Sequence, residues 1–149
     1  MKKLLIASFA ALALSACGNA ADSGSSVKEA VSKAEAVVDA KTKAVLVYAD
    51  WCGSCKVLDP AVNKAKAMGP LPGVEFVVLD YTDKNDANFY AQAEAAGVEA
   101  AIRTYLDGTV KTGQLLLVDV DDAKVITKIT KADDAPAIAA KIKDAVSAS

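Results

Sequence analysis

No histidine occurs among the 149 residues. That absence excludes a Ser–His–Asp or Cys–His catalytic pair, and histidine-ligated zinc, copper or haem iron. Arginine occurs once, at Arg103, and the formal net charge is −2 with no dense basic patch. Nucleic-acid binding therefore gets no support. Long apolar runs are missing too. Residues 4–13 form an apolar stretch of about ten residues relieved only by Ser8, whereas a membrane-spanning helix needs about 20. Nothing later in the chain is long and apolar enough to span. Cysteine is scarce, with three residues in all, Cys17, Cys52 and Cys55.

What is present begins with a leader pattern. Lys2 and Lys3 precede the apolar run, and small residues follow it, the arrangement of a secretory signal. Leu14-Ser15-Ala16-Cys17 resembles the lipobox of bacterial lipoproteins. The resemblance implies a signal peptide over residues 1–16, cleavage before Cys17 and a diacylglycerol on its sulfur. A lipidated sulfur does no redox chemistry; it supplies apolar chain that holds a protein at a membrane surface. Gly18, a residue other than Asp after the cysteine, points by family habit to the outer membrane. The alternative is an ordinary signal cut nearby, for example after Ala20, leaving a soluble periplasmic protein. Loss of Lys2 and Lys3 takes the net charge from −2 to about −4. The remaining length suits one domain with one core. With Cys17 lipidated, two thiols remain, so a four-cysteine zinc or iron–sulfur site within one chain is excluded and no metal site is expected. Export also matters, because disulfides persist outside the cytosol.

Residues 17–26 are small and polar and read as a flexible tether. Ser26 stands three residues before Glu29, a capping-box pattern, and Val27, Ala30, Val31, Ala34, Val37 and Val38 follow at helical spacing. This predicts a helix over 27–40. Residues 44–49 are β-rich and apolar enough for a strand buried on both faces. Residues 50–54 form a turn, and 55–68 are helical in pattern, with Pro60 inside. Residues 74–79 predict a second buried strand, and 86–96 a helix with Phe89 and Ala93 on one side. Residues 99–111 suggest one or two helical turns closed by Asp107-Gly108. Strands over 114–118 and 124–129 are joined by a tight turn and are therefore antiparallel. Asp133 or Asp134 caps a last helix carrying Ile138, Ile142, Ala145 and Val146. The order α–β–α–β–α–β–β–α implies parallel crossovers first and a mixed sheet with helices on both faces.

Trp51-Cys52-Gly53-Ser54-Cys55-Lys56 lies where a strand turns into a helix. A Cys-x-x-Cys there closes a small disulfide ring with little rearrangement. Unpaired backbone N–H groups at the helix N-terminus favour a thiolate on Cys52, and Lys56 adds positive charge nearby. Cys52 is thus the nucleophile and Cys55 the resolving thiol. Gly53 and Ser54 are small, which leaves the first sulfur open to a partner. Trp51 is read as a flat wall beside Cys52, or as a packing residue. Half of a zinc site and a static disulfide are the competing readings. The first lacks its other ligands, and a four-residue ring constrains an unfolded chain little.

The segment from Val45 through Lys56 resembles the active-site segment of the thioredoxin family, and Pro60 matches that family's helix proline. The stretch over 74–86 is similar to the next strand and loop of the thioredoxin-like domain of the periplasmic disulfide-interchange reductase. The resemblance covers about residues 27–147 and implies an α/β, thioredoxin-like fold with a mixed central sheet of about four strands. Three departures stand out. Gly113, in Thr112-Gly113-Gln114-Leu115, takes the place of the family's cis-proline facing the cysteines. The family's buried aspartate falls on Leu46 and its lysine partner near Val77, leaving Asp50 or Glu75, through water, as proton acceptors for the resolving thiol. Residues 99–111 are longer than the family's connection, an insert that caps the site, binds a partner or packs, with packing slightly favoured.

The implied function is a membrane-tethered periplasmic thiol–disulfide oxidoreductase. It exchanges disulfides with protein partners and needs no cofactor beyond the Cys52–Cys55 disulfide. The alternative is a thioredoxin-fold binding module, delivering Cu(I) or docking a partner, with little exchange activity. A purely structural lipoprotein is a third reading.

Overall fold

The computed structural model describes residues 40–149. The expected signal over 1–16, the lipidation residue Cys17, the tether over 17–26 and all but the last residue of the helix expected over 27–40 lie outside the described residues. The elements run β1 Thr42–Tyr48, α1 Cys55–Ala67, β2 Val74–Asp80, α2 Asp86–Ala95, α3 Glu99–Leu106, β3 Gln114–Asp119, β4 Lys124–Thr130 and α4 Ala135–Ser147. The strands form one four-stranded sheet in the order β2-β1-β3-β4. β1 pairs parallel with β2 and antiparallel with β3, and β3 pairs antiparallel with β4. This is the mixed α/β sheet that the resemblance implied.

Successive side chains on a strand point to opposite faces, and in β1 both sets are apolar. Ala44 and Leu46 face a core shared with Leu115, Leu117, Leu58 and Val62 of α1, and Ile138 and Ile142 of α4. Val45 and Val47 face a second core, with Leu116 and Val118, Phe89 and Ala93 of α2, and Ala101, Ile102 and Leu106 of α3. The helices therefore lie on both faces, α1 and α4 on one, α2 and α3 on the other. β1 is the doubly buried strand its composition predicts.

β2 departs from expectation. It pairs parallel as predicted, but it is the edge of the described sheet, and Leu79 is its one fully buried residue. Val78 is 58% exposed. Apolar composition cannot tell a central strand from an edge strand, because strand order depends on pairing partners distant in sequence. Residues 99–111 form α3 and its exit, ended by Asp107 and Gly108 at φ 47° and 77°. Ala101, Ile102 and Leu106 are buried, so this segment packs into the sheet.

Helix starts follow local chemistry. The Asn85 side chain accepts the Asn88 N–H at 3.1 Å to open α2, and Asp134 accepts the Ala137 N–H at 2.9 Å to open α4. Asp133 does different work. It accepts the Thr130 N–H at 2.9 Å and pairs with Lys141 at 2.6 Å, contacts that hold its carboxyl below the usual range.

These contacts rank two substitutions. Phe89, fully buried among α2, α3 and the sheet, should lose about 3–5 kcal/mol of unfolding free energy as Phe89→Ala. Asp134→Ala should lose about 1 kcal/mol. Urea unfolding of the two variants checks the order and the gap.

Candidate active site

The site sits at the end of β1 that leads into α1. Tyr48 closes the β1–β2 pairing opposite Asp80, and seven residues later, at Cys55, the chain is helical. In between, Cys52 N–H returns to Ala49 O at 3.1 Å, and Cys55 N–H and Lys56 N–H reach Cys52 O at 3.1 and 3.3 Å. The turn thus folds Cys52 back over the first turn of α1. The Cys55 N–H also points at the Cys52 sulfur, 3.3 Å away.

The two thiols sit in different surroundings. Cys55 is fully buried, and its Sγ lies 3.8 Å from Val47 O, to which it donates. Burial, its hydrogen bond to Cys52 and the charge Cys52 develops push the Cys55 thiol up to about 11. For Cys52, burial acts upward as well. The Cys55 thiol, the Thr112 hydroxyl and the backbone N–H groups of Cys55 and Ser54 outweigh it, so the pKa falls below the ordinary thiol value. A sulfur whose donors outweigh its burial holds negative charge more readily than one for which burial prevails. The pair is built with one sulfur to ionise and one to stay protonated.

The small Gly53-Ser54 pair was expected to leave the Cys52 sulfur open. Gly53 is exposed with nothing within 4 Å of a Cβ built there. Cys52 itself is only 7% exposed. Tyr48 packs against the cluster it forms with Ala49 and Cys55, and Gly113, which the fold brings across from the start of β3, stands so close that a Cβ built there would lie 3.2 Å from the Cys52 sulfur and 2.6 Å from Ser54 Cβ. Gly113 has φ +80°, and its N–H donates to Val47 O at 2.8 Å. Lys56 is on the exposed side of α1. The lowering of Cys52 comes from hydrogen-bond donors, and Lys56 is not among the groups that produce it.

Trp51 is 48% exposed and clamped by the loop after β2. Its Nε1–H donates to Thr82 O at 3.1 Å, the Lys84 ammonium lies 4.9 Å from its ring centroid, and Tyr81 meets it edge-on at 6.5 Å. Thr82 Oγ1 also accepts the Asp50 N–H at 3.1 Å. One loop residue therefore fixes both residues before Cys52. Sequence reasoning missed Val47, which acts through a main-chain carbonyl that no side-chain identity reveals, and Thr82, which acts through both its carbonyl and its hydroxyl. It also missed Thr112, whose hydroxyl beside a glycine facing the cysteines was the available signal.

Leu46 is buried in the apolar core, with no carboxylate in the family's place. Glu75 is not a substitute. It pairs with Lys43 at 3.0 Å and lies opposite Lys43 in the register, five residues before the site end. At about 3.3 Å per residue that is roughly 16 Å along the strand from the end of β2 that borders the site. Asp50 is exposed. The one buried carboxylate among the described residues, Asp119, sits opposite Thr42 at the far end of β1.

The sequence model described as Thioredoxin matches residues 25–100, just over half of the chain. The chain belongs to the thioredoxin family. It is also 32% identical over 91 residues to the Thiol:disulfide interchange protein DsbD of Pseudomonas sp. (strain JR1 / K1), an alignment that covers 59% of this chain and 16% of that protein. The chain thus spans about a sixth of the length of the relative it matches. Family and relative together support a fold of the thiol–disulfide oxidoreductase type.

The raised Cys55 pKa has a consequence for stability. A folded state that holds its proton longer than the unfolded chain keeps that stability in full below the unfolded pKa near 9.0 and loses it as the pH rises through about 11. The reduced protein should therefore lose on the order of 2 kcal/mol over this window. Denaturant unfolding of reduced wild type against Cys55→Ala checks it, since the variant should lack that part of the pH slope.

Proposed function

We propose that the protein is a thiol–disulfide oxidoreductase in which Cys52 is the nucleophile and Cys55 the resolving thiol. The observation that carries this is the unlike environment of the two sulfurs, with Cys52 lowered by donors and Cys55 raised to about 11 by burial. In the reducing direction the Cys52 thiolate attacks one sulfur of a partner disulfide. That S–S bond breaks, a Cys52–partner bond forms, and the released partner thiolate takes a proton. Cys55, once deprotonated, attacks the Cys52 sulfur and releases the second partner thiol. The chain is left with a Cys52–Cys55 disulfide, oxidised by two electrons, and the partner is reduced by two. The reverse sequence oxidises a partner dithiol.

Each nearby residue has a part. Thr112 and the N–H groups of Ser54 and Cys55 hold the Cys52 charge. Trp51, fixed by Thr82, presents a flat apolar wall to the partner. Val47 O holds the Cys55 thiol, and no buried carboxylate stands by to take its proton. Solvent is then the acceptor, and resolution is the slower half of the exchange.

The setting belongs to the same proposal. The leader pattern and Cys17 support export and a lipid anchor on the periplasmic face of a bacterial membrane, the outer membrane by the Gly18 signal. The domain then reaches protein thiols and disulfides in the periplasm from residues 17–26 as a tether. The reaction takes place between sulfurs and calls for no metal or other cofactor. A Cu(I) carrier would need both sulfurs as thiolates, and the raised Cys55 pKa works against that.

A Cys55→Ser variant should accumulate mixed disulfides through Cys52 with periplasmic proteins, seen as reductant-sensitive adducts, while wild type reduces a protein disulfide. No adducts together with an inactive wild type would sink the proposal. Separately, wild type should partition with membranes and Cys17→Ser should not.

A further inference from the structure

The sulfur of Cys52 is covered although the sequence between the cysteines is small, and the cover has an identifiable construction. A Cβ built on Gly113 would lie 2.6 Å from Ser54 Cβ, 3.2 Å from Cys52 Sγ and 3.5 Å from Ser54 Oγ. Real Cβ atoms do not approach another carbon to 2.6 Å. The space beside the Cys52 sulfur therefore holds one side chain, from position 54 or from position 113. Here Ser54 occupies it, and Gly113 makes room. The main chain at Gly113 is not free to withdraw, because its N–H is tied to Val47 O at 2.8 Å. Ser54 is held as well, since its carbonyl accepts the N–H groups of Val57 and Leu58 at 3.3 and 2.9 Å in the first turn of α1.

We propose that Ser54 and Gly113 act as one steric unit that sets access to the Cys52 sulfur, with the Ser54 side chain doing the shielding that a side chain at 113 would otherwise do. The bearing of this on partners rests on the redox reading above. It makes position 54 a specificity-determining position, admitting partner disulfides that are exposed and flanked by small residues and slowing bulky ones. It also explains why glycine stands at position 113. The left-handed φ of +80° strains any other residue, and the Ser54 side chain excludes it sterically.

The test compares wild type, Ser54→Gly, Gly113→Ala and the double variant, all reduced. The readout is the ratio of Cys52 alkylation rates with a bulky maleimide and with iodoacetamide. Both reagents need the thiolate, so a changed pKa cancels from the ratio. Ser54→Gly should raise the bulky-to-small ratio several-fold. Adding Gly113→Ala should bring it back toward wild type, because the new methyl fills the vacated space. A more flexible turn alone would predict no return. Gly113→Ala by itself should be much less stable than the double variant. If it does not fold, that agrees with the proposal and the other two variants carry the test. A ratio unmoved by Ser54→Gly, or unmoved by the second substitution, overturns it. The readout is independent of disulfide exchange. An inactive wild type with the expected ratios defeats the redox reading alone, and an active one with unmoved ratios defeats the steric unit alone.

Discussion

One carbonyl, Val47 O near the end of β1, ties the site together. It accepts the Cys55 thiol at 3.8 Å and the Gly113 N–H at 2.8 Å. Through it the central strand fixes both the first turn of α1 and the approach to β3. Its position is set by burial on both faces of β1, where Val45 and Val47 face one core and Ala44 and Leu46 the other. Sheet packing thus decides where the second sulfur sits, and the turn decides where the first one does.

From that constraint the inequality of the two thiols follows. The chain must pass from strand to helix within residues 49–54, which turns the N–H of Cys55 onto the Cys52 sulfur at 3.3 Å. Cys55 is left inside, with a carbonyl as neighbour. Burial raises both thiols, but at Cys52 the donors outweigh it, whereas at Cys55 burial and the neighbouring Cys52 prevail over the backbone donors, so a thiolate is favoured only at Cys52. Neither a histidine nor Lys56 is needed for this. The same arrangement leaves Cys55 without a buried carboxylate to take its proton, since Leu46 packs in the apolar core there. Faster resolution would require placing a charge in that core, where it would be costly.

Much of this was legible in the sequence because it is local. The strand–turn–helix over 44–67, the helix from 86, the tight β3–β4 turn and an aspartate cap at 133 or 134 are written in adjacent residues. Parallel pairing of β1 and β2 followed from the helix between them. What escaped was set by distant chain. β2 reads as a core strand, yet no described strand pairs beyond it. Gly53 and Ser54 read as an opening, yet residues some sixty positions later close it. Val47 contributes a carbonyl, which every residue owns, and Thr82 a carbonyl and a hydroxyl from a loop some thirty positions away. Thr112 was in view, but its hydroxyl matters only because the sheet carries it to Cys52.

The central claim is that the two thiols ionise far apart, Cys52 first, and that donors from Cys55 and its neighbours cause the order. The direct test is a pH titration of thiolate ultraviolet absorbance on the reduced protein. Wild type should show two steps, one below 9.0 and one near 11. They are macroscopic values of the pair. Cys52→Ser should remove the lower step, and Cys55→Ala should shift it upward by removing the donor thiol. A single transition near 9.0, or a lower step that survives Cys52→Ser, would contradict the account.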